Sequence, residues 1–203
     1  GQDGTPGDRQ ELGGLDARRA GHAAEEAREL PWCAERRVFS GHQFLHRRPL
    51  GVAGFSGIAE LTEENLRAAI KAASQVADVV IAMPHWGPED TPNPNSYQLE
   101  FAQIAVDAGA DLVVGNHTHV VQAVQEINGI PVFYGLGNFV FDQDWDLAHQ
   151  QGVLLRVTFE GQRLAGYEFI PTHVDGDGTV HLAGEAEAAE ILARIQQASD
   201  LLK

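Results

Sequence analysis

Apolar positions recur with a regular period from residue 51 onward, and this period predicts alternating helices and strands. A helix is expected to begin behind Thr62, a suitable N-cap, and its apolar residues have helical spacing. That apolar face consists of Leu66, Ile70, Ala73 and Val76. The apolar run 78–83, the amphipathic segment 97–108 and the apolar run 111–114 then predict strand, helix and strand. This order is typical of a right-handed parallel unit in an α/β fold.

The pattern beyond residue 114 favours antiparallel strands. Asn128-Gly129, the dipeptide preferred in tight hairpin turns, separates two apolar segments, and Glu160-Gly161 separates two longer ones. An amphipathic segment that opens with acidic residues ends the chain and predicts a helix. The predicted elements are strands at 120–127, 130–134, 152–159, 163–173 and 179–182, and a helix from 185 to about 202.

Residues 1–50 lack these patterns. They hold eight Arg and eight Asp or Glu but no Lys or Ile, and the segment Ala17–Leu30 has almost no apolar stripe. Residues 51–203 hold six basic and 21 acidic residues, which account for the whole net charge of −15. We therefore expect 1–50 to be an atypical, poorly ordered segment of loop, short helix or disorder. We interpret it as the product of a shifted reading frame or a mispredicted start.

The composition of the chain argues against several classes of function. A chain of 203 residues with 43% apolar and 21% charged residues is expected to form one globular domain or slightly more. Its acidic balance argues against a nucleic-acid partner and against docking on an anionic membrane. The sequence has no apolar run near the roughly 20 residues that span a bilayer, and its start does not resemble a signal peptide. The single cysteine, Cys33, is expected to be an inert thiol.

Three histidines follow the carboxyl ends of two predicted parallel strands. His85 follows the first strand, and His117 and His119 follow the second. Ligands bind at this edge of open α/β sheets, and three neutral imidazoles there can hold zinc, manganese or iron. The alternative is that each is a hydrogen-bonded structural residue, and the residues alone leave both interpretations open. A structural role is expected for the other six histidines: His22, His42, His46, His149, His173 and His181. His42 and His46 are four residues apart, as on a helix, but the segment between them lacks the Glu that a metalloprotease helix carries there.

Three sequence strings carry a resemblance to a known family. They are VVIAMPHWGPED at 79–90, GNHTHV at 115–120 and LGNFVFDQ at 136–143. Together they resemble the CapA family, the poly-γ-glutamate capsule-synthesis proteins of the calcineurin-like metallophosphatase superfamily. The resemblance extends from about Gly51 to the C-terminus. It implies that 51–203 is the C-terminal portion of a CapA-like domain, a metallophosphatase-like αββα sandwich that is incomplete at its N-terminus.

The resemblance also implies a site. In the family pattern His85 corresponds to an isolated metal ligand, and His117 and His119 correspond to a catalytic metal-binding pair. Trp86, Asn116 and Asn138 are expected to line the pocket, with a core position as the alternative for Trp86 and turn chemistry for Asn138. Asp142 and Gln143 lie in a family-like loop without an assigned role. Glu89 could line the cleft, but we interpret it as an exposed loop acid. A complete domain holds up to two divalent ions, Mn, Zn or Fe.

The sequence before His85 has no convincing counterpart of the superfamily's earlier motifs. These motifs are Asp-x-His or Gly-Asp, then a bridging acid, then an Asn-His pair. One ion at the three histidines is thus better supported than a complete two-metal centre. The resemblance implies a metal-dependent hydrolase of capsule or poly-γ-glutamate synthesis, acting on a phosphoester or γ-glutamyl substrate at the cell envelope or outside the cell. Membrane attachment is expected only through an N-terminal anchor that this sequence lacks. The alternative is a non-catalytic envelope binding or scaffold module, or an inactive fragment of the same fold.

Overall fold

The computed structural model describes residues 38–42, for which only the backbone is considered, and residues 60–203. The strands are β1 (Val38–His42), β2 (Ile81–His85), β3 (Leu112–Val114), β4 (Val124–Ile127), β5 (Ile130–Phe133), β6 (Gln151–Glu160), β7 (Arg163–Val174) and β8 (Val180–Leu182). The helices are α1 (Glu63–Ser74), α2 (Ser96–Asp107), α3 (Leu147–Gln150) and α4 (Glu185–Asp200). The protein is therefore mixed α/β, as the sequence predicts.

The described strands form two sheets. The first has the order β1-β2-β3-β5-β4, in which β4 is antiparallel to β5 and the other neighbours are parallel. The second is the antiparallel sheet β6-β7-β8. Helices α1 and α2 bury Ile70 and Phe101 in one core cluster with Val113 of the first sheet. Leu112 and Phe133 instead pack with residues of the second sheet such as Phe169. The first sheet thus has helices on one face and a second sheet on the other.

The helix starts follow from local side-chain chemistry. The Thr62 hydroxyl accepts a hydrogen bond from the backbone N–H of Asn65, which confirms the predicted cap of α1. Asn95 and Gln98 form a reciprocal capping box at the start of α2. Because α1 ends at Ser74, Val76 lies beyond it and is 60% exposed. The prediction that Val76 belongs to the buried face is wrong for this reason.

The hairpins match the predicted turns. Asn128 and Gly129 have φ values of 53° and 82°, so both adopt the left-handed conformation that a tight β4–β5 turn requires. Strands β6 and β7 pair over their whole length, with one register shift between Thr158 and Phe159. Helix α4 contacts β4 of the first sheet and β7 of the second. This helix therefore joins the two sheets through its apolar face.

The sequence pattern predicts no strand before residue 78, but the structure contains β1. This strand pairs in parallel with β2, in a register that sets Val38 beside Ile81 and His42 beside His85. Backbone pairing with a buried parallel neighbour can hold a segment whose own side chains give no strand pattern. The predicted helical segment Ala17–Leu30 lies outside the described residues, as do His22, Cys33 and His46.

Among the described residues, no helix combines the length and the apolar character that crossing a bilayer requires.

Candidate metal site

The candidate site lies where β2 and β3 end. His85, the last residue of β2, forms an isolated parallel bridge with Asn116. The backbone N–H of Trp86 donates to Asn116 O at 3.1 Å, and the N–H of Asn116 donates to Pro84 O at 3.0 Å. The chain after β2 therefore runs directly beside the chain after β3. The structure thus places His85 next to the segment that carries His117 and His119.

The turn after β3 has an unusual backbone. His117 and His119 have φ values of 96° and 62°, a region that residues with a Cβ rarely adopt. The turn is preceded by Gly115, where a Cβ would lie 2.2 Å from both Trp86 Nε1 and Tyr134 O. Only glycine allows this close approach of backbone and indole. Close packing against the core therefore fixes the conformation of the turn, and this turn positions both histidine side chains.

Glu89 completes a group of three ligand atoms with the two histidines. Its Oε1 lies 3.9 Å from His117 Nε2 and 4.0 Å from His119 Nε2, and one donor atom from each residue falls within 4.8 Å of the others. The backbone N–H of Asp90 donates to Thr118 O at 3.0 Å, which holds the Glu89 loop against the turn. We call Glu89, His117 and His119 the sheet-edge group. Two imidazoles and one carboxylate fit a divalent transition-metal ion.

Glu89 was not assigned to the site from the sequence, because an acid that is half exposed in a Pro-rich loop resembles an ordinary surface residue. Its side chain is indeed 53% exposed. The available signal was its position four residues after His85, in the same loop beyond the same strand. The structure is needed to show that the carboxylate faces the histidines, through its distances to their Nε2 atoms and the backbone contact between the two loops.

His85 lies beside the sheet-edge group but is not one of its three ligand residues. Its ring centroid is 4.4 Å from that of His117, with the planes tilted by 42°. Its Nδ1 is hydrogen-bonded to the side-chain oxygen of Asn116. Because an amide oxygen only accepts, Nδ1 of His85 carries the proton and its Nε2 is the nitrogen with a lone pair. Asn116 therefore orients His85.

Asn138 orients His119 in the same manner. Its Oδ1 is 2.9 Å from His119 Nδ1, so this nitrogen donates and Nε2 keeps its lone pair toward Glu89. The Asn138 amide N–H groups donate to Gln143 Oε1 and to His149 O, both at 3.1 Å. The predicted pocket residue Asn138 is thus placed behind the imidazole of His119. Gln143, which had no assigned role, holds Asn138.

His149 supports this arrangement from a buried position. Its Nδ1 donates to Asp146 at 2.8 Å and its Nε2 donates to Asp90 at 2.7 Å. Burial lowers the pKa of His149, but the hydrogen bonds to these two carboxylates outweigh it and raise the pKa above its usual value. The charged imidazolium therefore ties the loop after β2 to the loop before β6. The structural role expected for His149 agrees with these contacts.

Two further neighbours define the surroundings of the site. Trp86 is buried in the hydrophobic core, and its indole N–H donates to Tyr134 O at 2.9 Å, which corresponds to the core alternative. Phe141 has its ring centroid 5.0 Å from that of His119 and is 44% exposed, whereas Asp142 is an exposed loop residue.

The protonation of His117 suits metal ligation. Burial lowers its pKa more than the Glu89 carboxylate raises it, and the neighbouring His119 lowers it further. A lowered pKa keeps the imidazole neutral near pH 7. Because only neutral imidazole has a free lone pair for a metal, His117 is ready to act as a ligand without first losing a proton.

Comparisons with known proteins identify relatives that are named for capsule or polyglutamine synthesis. The chain is 47% identical over 76 residues to the PGA biosynthesis protein CapA of Bacillus subtilis, a match covering 37% of this chain and 20% of the relative. It is 48% identical over 69 residues to the capsule biosynthesis protein CapA of Bacillus anthracis, covering 34% of this chain and 17% of the relative. A probable polyglutamine synthesis accessory protein of Mycobacterium tuberculosis is 28% identical over 87 residues, covering 43% of this chain and 23% of the relative. The matched part thus spans about a fifth of these relatives.

The family match covers more of the chain. The family described as bacterial capsule synthesis protein PGA_cap matches residues 10–143. This range begins well before Gly51, where the sequence resemblance was expected to start, and it ends before β6. It includes His85, the sheet-edge group and Asn138. On this evidence, the chain belongs to the bacterial capsule synthesis protein PGA_cap family.

Proposed function

We propose that this chain is part of a divalent-metal-dependent hydrolase of capsule synthesis, with the sheet-edge group as its metal site. The observation that carries the proposal is the convergence of Glu89 Oε1 with the Nε2 atoms of His117 and His119, within 4.8 Å. Imidazole suits zinc and iron, and a carboxylate adds affinity for manganese. The donor atoms therefore fit the class of ion expected from the sequence.

Each residue of the site has a defined task in this proposal. A divalent ion supplies Lewis acidity and activates water for hydrolysis when it is bound. His117 and His119 present their Nε2 atoms to the ion, and Glu89 adds the negative charge that offsets the ion. Asn138 fixes the tautomer of His119, and Phe141 shields that imidazole on one side. These contacts keep the ligands oriented before an ion arrives, which lowers the entropy lost on binding.

His85 is retained as a further ligand residue beside His117. Asn116 leaves its Nε2 as the lone-pair nitrogen, and the two rings are 4.4 Å apart. The sheet-edge group and His85 together thus provide four donor residues. A second ion in a complete domain would require additional carboxylates, which agrees with an assignment of one ion to the described residues.

The fold proposal follows from the two sheets. We assign them to a metallophosphatase-like αββα sandwich, since α1 and α2 cover one face of the first sheet and the second sheet covers the other. The substrate proposal is a phosphoester or a γ-glutamyl bond of a capsule polymer; the Bacillus relatives, which are named for PGA and capsule biosynthesis, support the link to such a polymer. The cell envelope is the proposed place of action for the same reason.

Metal analysis of the purified chain is the first test. After removal of any affinity tag and exposure to Mn²⁺, Zn²⁺ or Fe²⁺ in turn, the ion content of the wild type is compared with that of His117→Ala, His119→Ala and Glu89→Gln. Each variant is expected to lose about one ion per chain. Glu100→Gln is the matched control, because Glu100 is exposed on α2 and outside the sheet-edge group. Unchanged metal content in all three variants would overturn the proposed site.

Hydrolysis by the metal-loaded chain is the second test. A phosphodiester reporter and a γ-glutamyl oligomer are assayed separately, so that the bond cleaved is identified. We expect His117→Ala to reduce turnover at least about a hundredfold, because loss of the bound ion removes several kcal/mol of transition-state stabilisation. A chain that binds the ion but cleaves neither substrate would support the alternative of a non-catalytic envelope module and would contradict the hydrolase.

A further inference from the structure

A second group of histidines and acids lies on the hairpin formed by β7 and β8. His173 and His181 are direct cross-strand partners in the register of these strands. Their rings are stacked, with centroids 5.5 Å apart and an angle of 11° between the planes. Side chains of directly paired residues project to the same face of a sheet, so the register itself brings the two imidazoles together. Both residues were assigned only structural roles from the sequence.

Asp175, in the turn after β7, supplies a carboxylate to the same point. Its Oδ1 lies 3.7 Å from His173 Nε2 and 3.4 Å from His181 Nε2. Ligand atoms around one tetrahedral zinc ion are separated by about 3.3 to 3.5 Å, given zinc–nitrogen and zinc–oxygen bonds of about 2.0 to 2.2 Å. The two distances from the carboxylate are therefore close to those around a zinc ion, and one donor atom from each of the three residues lies within 4.8 Å of the others. We call His173, Asp175 and His181 the hairpin group.

Glu187 of α4 orients one of the two imidazoles. Its Oε1 is 2.7 Å from His173 Nδ1 and also accepts a hydrogen bond from Gln151 Nε2 at 2.6 Å. Because the carboxylate accepts the Nδ1–H of His173, the lone pair is left on Nε2, the nitrogen that faces Asp175. A carboxylate behind a ligating histidine is the usual outer partner in zinc sites, and it raises the basicity of the ligand.

We propose that the hairpin group is a second metal site, which binds a zinc-like divalent ion through His173, Asp175 and His181. Two imidazoles and one carboxylate leave a coordination position for water, and the exposed side of the group supplies it: the side chains of Asp175 and His181 are 46% and 50% exposed. The ion stabilises the structure by joining β7, β8 and, through Glu187, α4. This site is separate from the sheet-edge group and does not depend on the proposed hydrolase.

The test begins from the full chain, free of any affinity tag, with His117→Ala and His119→Ala introduced together. Calorimetric titration of this parent with Zn²⁺ is expected to show one remaining ion per chain, and Co²⁺ to give visible absorption bands. Adding His181→Ala is expected to abolish both signals and the rise in thermal midpoint that Zn²⁺ produces in the parent. A parent that binds no Zn²⁺, or one that binds it equally with His181→Ala, overturns the proposal.

One matched pair of variants and one further variant separate ligation from folding. Asp175→Asn is expected to weaken Zn²⁺ binding strongly, whereas Asp177→Asn in the same turn leaves it unchanged, because the Asp177 side chain accepts a hydrogen bond from the Thr179 N–H and is outside the group. Glu187→Gln is expected to weaken binding about 10- to 100-fold, the usual effect of losing an outer carboxylate. Thermal unfolding without metal confirms that each variant folds. Equal affinities for Asp175→Asn and Asp177→Asn overturn the assignment of Asp175.

Discussion

The sheet-edge group and the hairpin group contain the same donors, two histidines and one carboxylate, but the backbone assembles them differently. At the sheet edge the ligands lie on two loops, and both histidines have positive φ. On the hairpin, His173 and His181 face each other through ordinary strand pairing, and the acid follows in the connecting turn. The first group therefore depends on a strained turn that the core must hold in place. The second depends only on the register of two strands.

The partners behind the imidazoles differ as well. The amide oxygen of Asn138 orients His119, whereas the carboxylate of Glu187 orients His173. A carboxylate makes the histidine a more basic ligand, and an amide fixes the tautomer without adding charge. The hairpin group has more negative charge and shorter distances between its ligand atoms than the sheet-edge group, whose carboxylate lies 3.9 and 4.0 Å from the two imidazole nitrogens. We therefore expect a divalent ion to bind more tightly at the hairpin group.

The largest effect is expected from filling the space under the strained turn. Gly115→Ala places a Cβ 2.2 Å from Trp86 Nε1 and from the backbone oxygen of Tyr134, and neither a core indole nor a sheet backbone can move aside easily. We expect a loss of about 3 kcal/mol or more in the free energy of unfolding. Gly166→Ala on β7 is the control, since nothing lies within 4 Å of the added Cβ. Urea denaturation that shows equal stabilities would contradict the claim that the core fixes this turn.

Metal affinities measured at both groups test whether the residue that orients an imidazole acts only on its own site. Asn138→Ala is expected to weaken metal binding at the sheet edge by about 10- to 100-fold while leaving Zn²⁺ binding at the hairpin group unchanged. The reason is that His119 loses the acceptor that keeps its proton on Nδ1. Competition titrations with a coloured chelator measure both affinities. A parallel loss at both sites would show that Asn138 acts through general stability instead.

The charged bridge at His149 is expected to have an intermediate, pH-dependent effect. His149→Gln removes hydrogen bonds to two carboxylates, worth about 1.5 kcal/mol, and less if solvent screens the half-exposed acids Asp90 and Asp146. Because the folded state raises the pKa of His149, its contribution is fully present below about pH 6.5, the unfolded value, and is lost as the pH rises through the raised value.

Denaturation of the wild type and of His149→Gln at pH 6 and at pH 9 measures this contribution. The stability difference should be larger at pH 6 and shrink at pH 9, with the metal removed at both. A difference that grows with pH would mean that His149 is neutral in the folded protein.

The two groups also show how far the sequence could be interpreted. His117 and His119 were identifiable because they follow an apolar run that predicts a buried strand, and most helices and hairpins followed from periodicity and turn residues. For Glu89 the sequence allowed both a cleft position and an exposed loop position, and it could not decide between them because the position depends on how one loop packs against another. The pairing of His173 with His181 was not identifiable, because they lie on strands whose register no local pattern specifies. Strand β1 was missed because its pairing with β2, rather than its own composition, determines it.

The smallest effect is expected from comparing Ala with Gly at one histidine of each group. This comparison tests directly whether the backbone is strained at the sheet edge and relaxed on the hairpin. Both substitutions remove the same imidazole, so their difference reports the backbone alone. At position 117, where φ is 96°, His117→Gly is expected to be more stable than His117→Ala by about 1 kcal/mol, since glycine adopts positive φ without a clash. On β7 the order should reverse, with His173→Gly less stable than His173→Ala by about 0.5 to 1 kcal/mol, because glycine loses more conformational freedom in a regular strand. Unfolding of the four variants without metal gives both differences, and the same sign at the two positions would mean that the turn at His117 stores no strain.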